Sequence, residues 1–148
     1  MNQETLVRAH VENTLMTVMD NKCVCTDQDG DYPFRWNTAA CWIHVESSDA
    51  PAIRVFAHAA FGLKRSAKLL QEINDINTGH RFVKTSLVAG TVVVEYAMPW
   101  AAAEPSVISS ACKAVGSVAA DAGPLLAGVF GGQTPFEPET ESQDEQSA

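Results

Sequence analysis

The sequence predicts an α+β fold of two layers. A single antiparallel sheet of about six strands is covered on one face by helices at the start, middle and end of the chain. Three observations carry this expectation. Apolar residues recur at helical spacing in three separate stretches, bounded by capping or breaking residues. Between them lie runs rich in Val, Ile and aromatic residues, with polarity alternating at a period of two. The links between neighbouring runs are short, so sequential strands pair antiparallel. The expected order is α-ββββ-α-ββ-α. A length of 148 residues, 46% hydrophobic and 19% charged, suits one domain with one sizeable core.

The first helix is expected over residues 3–20. Val7, Val11, Leu15 and Val18 form one stripe, widened by Leu6, Met16 and Met19, and Asp20-Asn21 stops it. Residues 22–26 and 32–37 are read as a hairpin turning on Asp29-Gly30, because a type I′ turn needs φ > 0 at both central positions. Pro33 removes a ladder donor, so its strand is at an edge or short. Strands over 39–46 and 52–60 follow, joined by the polar turn at 47–51. Residues 63–78 return to helix through Leu69, Leu70, Ile73 and Ile76, with Gly79 just past the end. Asn74 and Asn77 are read as capping groups there.

Strands over 81–88 and 91–98 flank Ala89-Gly90. The last helix begins near Glu104-Pro105, with Pro at an early position. Ile108, Ala111, Cys112, Val115 and Ala119 lie on its apolar side. Gly123-Pro124 is expected to kink or break it. Leu125, Leu126, Val129 and Phe130 then form a second piece, ended by Gly131-Gly132. The expected organisation is a domain over 1–136 and a disordered acidic tail over 137–148.

Charge is uneven. The formal net charge is −8, and five acidic residues with no base lie in 137–148, leaving −3 for the first 136 residues. No basic patch is present to bind a phosphate backbone, so nucleic acid is not an expected partner. The start of the chain is polar, without the basic and apolar regions of a signal peptide. The longest uncharged runs are too short and too interrupted to span a bilayer. A cytoplasmic protein with no membrane partner is expected. Its four cysteines are then thiols.

The stretch 27–36, DQDGDYPFRW, places three carboxylates on alternate residues. As a calcium loop starting at Asp27, it has Tyr32 where glycine is needed and Thr38 where a bidentate Glu is needed. It is therefore a turn with solvated charges. Cys23 and Cys25 have a C-x-C spacing, without the second pair that structural zinc requires. His44 and His58 fall on one face of neighbouring strands, but no nucleophile elbow, phosphate loop or cofactor fingerprint accompanies them. No catalytic residue, metal or cofactor is assigned.

Alternation separates the two faces of the sheet. Cys41, Ile43, Val45, Ile53, Val55 and Ala57 point to the core, with Val83, Thr85, Leu87, Val92, Val94 and Tyr96. The opposite face mixes Trp42, Phe56, Phe82 and Val93 with Arg54, Lys84, Glu46, Glu95, His44 and His58. Large aromatics between charges on an uncovered face fit an interface, with apolar anchors and a polar rim.

The ordered series of these stretches resembles the bacterial YbjN-type family, in its peptide-binding, type III secretion chaperone-like branch. The resemblance rests on DQDGDYPFR at 27–35, IRVFA at 53–57, LLQEINDINTGHRF at 69–82 and VVVEYAMP at 92–99. FGGQTPF at 130–136 is similar to the family's C-terminal signature. The resemblance spans about residues 3–136. It implies an α+β fold, a homodimer, and the holding of partner polypeptides in extended form.

The expected function is non-catalytic: a chaperone-like or adaptor protein that binds a client polypeptide. Trp42, Phe56 and Phe82 are the expected anchors, and Arg54, Lys84 and Glu95 set orientation. The same face is alternatively a homodimer interface. Pairing of a client along 32–36 is a further expectation. The competing reading is a stress or regulatory protein that senses a small ligand or thiol state through Cys23, Cys25 and Cys41.

Overall fold

A computed structural model describes residues 2–19 and 24–139. It contains α1 (Gln3–Val18), β1 (Tyr32–Trp36), β2 (Ala39–Glu46), β3 (Ala52–Ala60) and α2 (Ala67–Gly79). Then come β4 (Lys84–Val88), β5 (Thr91–Pro99), a 3-10 turn at Trp100–Ala102 and α3 (Pro105–Phe130). The strands form one sheet in the order β1-β2-β3-β5-β4, antiparallel throughout. The fold is α+β with helices at start, middle and end, as the sequence predicts, built on five strands rather than about six.

The strand count differs at the first hairpin. Residues 24–26 are not in a strand, while 20–23, with the expected helix stop and Cys23, lie outside the described residues. β1 pairs with β2 across Asn37-Thr38, with Trp36 opposite Ala39. The cause lies in Asp27. Its Oδ1 accepts from the backbone of Asp29 at 2.9 Å and of Asp31 at 3.0 Å, and Gly30 sits at φ 80°. These bonds close the acidic stretch on itself as a local turn leading into β1. Among the described residues, no cluster of His, Cys, Asp and Glu suits a metal ion.

All three helices pack on one face. α3 lies against β3, β5, β2 and β1, α1 against α3 and β2, and α2 against β4. Val11, Ile43, Ile53, Val55, Val92, Val94 and Ile108 are fully buried between the layers. α1 buries Val7, Val11, Thr14 and Leu15, but Leu6 and Met16 are about half exposed, at 47% and 54%. They do not widen the stripe, because a helical turn of 100° per residue carries both to its far side.

Two further expectations are corrected. Of the expected kink or break at Gly123-Pro124, the break does not occur: α3 runs on to Gly131, which takes the left-handed cap at φ 75°. Its contact with the sheet explains the continuity: a Cβ on Gly123 would fall 2.2 Å from the Ala59 carbonyl oxygen. Helix and strand backbones therefore touch there, and packing outweighs the propensity of one proline. Asn77 serves the sheet rather than its own helix. Its side-chain amide donates to Thr85 O at 2.9 Å and its Oδ1 accepts from Thr85 N at 2.7 Å. α2 starts at residue 67, later than expected, because Ser66 Oγ accepts from Leu69 N at 3.1 Å and caps it. Past residue 139, the expected tail lies outside the described residues.

Candidate functional site

The face opposite the helices carries a row of side chains in mutual contact. Strand register aligns one row across the sheet: Pro33 opposite Trp42, Trp42 opposite Phe56, Phe56 opposite Glu95, and Glu95 opposite Lys84. Cross-strand neighbours project to the same side and meet. Trp42 and Phe56 stack with ring centres 5.3 Å apart and planes 19° from parallel. His58, diagonal to Trp42, tilts against it at 4.7 Å. All three are half-buried, and among the described elements no helix covers them.

Charge closes one side of this cluster. The Arg54 guanidinium lies 5.1 Å from the centre of the Phe56 ring, and its Nε donates to Glu95 Oε1. Lys84 Nζ is 3.4 Å from the other Glu95 oxygen. Burial pushes the Glu95 carboxyl up, but the hydrogen bond and charge of Arg54, with the charge of Lys84, outweigh it and hold the group below its ordinary value. Lys84 is largely exposed, so its ammonium retains room for another partner. Burial lowers the His58 pKa, which favours the neutral imidazole within the aromatic cluster. His44, near the top of the face, bonds Asp31 through Nδ1 at 2.6 Å and fixes the turn before β1.

Of the six residues singled out in sequence, the structure brings five together: Trp42, Arg54, Phe56, Lys84 and Glu95. Phe82 is apart. β4 begins at Lys84, so the alternation does not extend back to Phe82. Its ring lies 6.2 Å from Tyr96, which occupies the core-facing set, and it borders a cavity of about 360 Å³ shared with Lys113, Ser117 and Val118 of α3. His58 takes the place in the aromatic cluster expected of Phe82. Its parity in β3 was the available signal, although a histidine does not read as an anchor.

A second residue at this face was not singled out in sequence, although alternation from Pro33 places it there. Arg35, in register with Ala40 and through it with His58, stands at the margin of the same face. It holds the backbone oxygen of Glu137, 102 residues away, at 2.8 Å. Cys41, a thiol sensor only in the competing reading, faces the core as its alternation predicts. Burial, chiefly, pushes its thiol up to about 12, and Cys112 is pushed to about 12 for the same reason. Both are therefore neutral, poorly nucleophilic thiols. Cys25 is exposed.

The described residues thus place an uncovered aromatic row on the sheet, with Arg54, Glu95 and Lys84 at its charged end. A family model described as "T3SS (YopN, CesT) and YbjN peptide-binding chaperone 1" (TY-Chap1) matches residues 5–138 of the chain. No curated protein matches it.

Proposed function

The chain belongs to the TY-Chap1 family of peptide-binding chaperones, and from that premise we propose that it holds an extended client segment on the outer face of its sheet. The observation that carries this reading is the stack of Trp42 on Phe56, with His58 against it, left half-exposed on a rigid strand pair. Burial of a whole apolar side chain is worth about 1.5–3 kcal/mol. Covering the exposed halves of two aromatics therefore contributes about 1.5–3 kcal/mol before ordering costs. Binding is accordingly weak for one segment and tolerant of sequence, as suits a chaperone.

Arg54, Glu95 and Lys84 orient the client. Arg54 and Glu95 largely satisfy one another, so the exposed Lys84 ammonium is the group that selects, favouring a carboxylate on the client. The reaction class is none: the protein acts by binding. In the same reading it is a cytoplasmic homodimer whose folded unit ends near residue 136, with neither nucleic acid nor membrane as partner. The acidic net charge of −8 supports the exclusion of nucleic acid. No helix among the described residues is long and apolar enough to cross a membrane.

Binding of the wild-type protein and of Trp42→Lys to an array of random 15-residue peptides tests the proposal. The variant should lose at least about tenfold in affinity, or about 1.4 kcal/mol, while keeping its melting temperature. Equal binding by a folded variant removes the outer face from the account.

A further inference from the structure

The chain already holds a polypeptide on its own sheet. After α3, Gln133 and Phe61 exchange backbone hydrogen bonds of 3.0 and 2.8 Å beyond the end of β3. Phe136 N donates to Thr38 O at 3.1 Å, in the β1–β2 turn. Arg35 then engages the next residues. Its guanidinium carbon lies 4.5 Å from the centre of the Phe136 ring. Nη2 donates to the Glu137 carbonyl at 2.8 Å, and Nε lies 3.9 Å from Glu139 Oε1. Asn37 Oδ1 accepts from Glu139 N at 2.9 Å.

One arginine thus contacts an aromatic ring, a backbone carbonyl and a carboxylate within four consecutive residues. The planar guanidinium is suited to this, since its face takes the ring while its edge donates. The contacts of the arginine are exposed, with Arg35 at 42% and Glu139 at 64% of side-chain surface. Exposed ion pairs and ring contacts are individually weak, so the segment is held by their sum and can be exchanged. Its position is not incidental to the proposed face: Arg35 is in register with Ala40 and His58, beside the aromatic cluster.

We propose that Arg35, with Asn37 and the Thr38 carbonyl, forms a second subsite for polypeptide, selective for an aromatic residue with a carboxylate three places later, and that Phe136–Glu139 is its resident occupant. A client carrying that pattern displaces the resident segment and extends onto the Trp42–Phe56 row. Only this last step rests on the peptide-binding reading of the outer face. The subsite itself rests on the contacts above.

The test uses the full chain and a labelled synthetic peptide, Gln-Thr-Pro-Phe-Glu-Pro-Glu, copied from residues 133–139. Affinity is read by fluorescence anisotropy. A variant vacating the subsite, Phe136→Ser with Glu139→Ser, should bind the peptide at least tenfold more tightly than wild type. Adding Arg35→Ala should abolish that gain, and so should replacing the peptide's Phe by Ser. No gain on vacating the site, or a gain indifferent to Arg35, overturns the proposal.

A second readout works should the vacated variant lose its fold. In Arg35→Ala alone, the Phe136 and Glu139 amides should exchange with deuterium at least tenfold faster, and unchanged exchange also overturns the proposal. Trp42→Lys separates the two ideas: a peptide gain that needs Arg35 while array binding ignores Trp42 keeps the subsite and removes the face.

Discussion

Asn77 shows what a single side chain contributes to this sheet. The two-residue turn at Ala89-Gly90 makes Val88 opposite Thr91 the hydrogen-bonded closing pair, so Thr85 turns its backbone groups outward. Asn77 takes both of them, on a residue only 3% exposed. Asn77→Ala leaves two buried polar groups unpaired, at a cost of about 1–3 kcal/mol for each. A fall in melting temperature of at least roughly 4 °C is expected, with association through the freed edge. Thermal melts and sedimentation velocity check it, and a monodisperse variant with unchanged melting refutes the edge-guarding role. In sequence Asn77 reads as a helix cap, because the pairing with Thr85 needs the relative placement of α2 and β4.

Protonation acts on the same scale. The folded pKa of His58 is below 6.5, so the unfolded chain binds its proton first as pH falls. Its contribution to stability is complete above pH 6.5 and is lost progressively below it. Glu95, held below 4.5, contributes above that value and loses its part as pH drops through the folded pKa. Both make the protein less stable in acid. Between pH 7.5 and 5, His58→Phe should flatten the decline of melting temperature, since a neutral ring replaces the imidazole. An identical slope in the variant contradicts the assignment.

At the scale of elements, α3 gives a paired prediction. A Cβ on Gly123 meets the Ala59 carbonyl at 2.2 Å, whereas one on Gly128, in the same helix, meets nothing within 4 Å. Gly123→Ala should destabilise by about 1–3 kcal/mol through forced displacement of helix from strand. Gly128→Ala should stabilise by about 0.5–1 kcal/mol through helix propensity alone. Urea titration of both variants decides it, and a shared sign means that α3 does not touch β3 as described. The elements themselves were largely legible, since α1, β2, β3, β5 and the start of α3 follow directly from periodicity and capping. The hairpin at Asp29-Gly30 was not. Its signal is local and correct for a turn, but Asp27 uses that turn to close a loop, and the β1–β2 turn at Asn37-Thr38 carries no glycine. The break at Gly123-Pro124 failed for the opposite reason, because a tertiary contact overrode a local preference.

For the whole molecule, a helix layer on one side leaves the other side of the sheet uncovered, and that side is the binding surface we propose. Two-residue periodicity identified that surface and five of its residues, because parity survives whatever the strand order. It failed at Phe82, where parity was carried across a residue that precedes the strand. It had no access to the contact between Arg35 and Phe136, which joins residues about a hundred positions apart through the wrap of the chain round the end of the sheet. Both ends of the outer face are thus defined, one by Lys84 and Glu95, the other by Arg35 and the segment it holds.

The most direct test of the account is an amide and indole NMR titration of the full chain with the tightest peptide from the array. The account predicts shifts concentrated at Trp42, Phe56, His58 and Glu95, including the Trp42 indole N–H, with α2 and α3 unchanged. Shifts confined to α2, α3 and Phe82, with a silent Trp42 indole, would place the client on the helix side and contradict it.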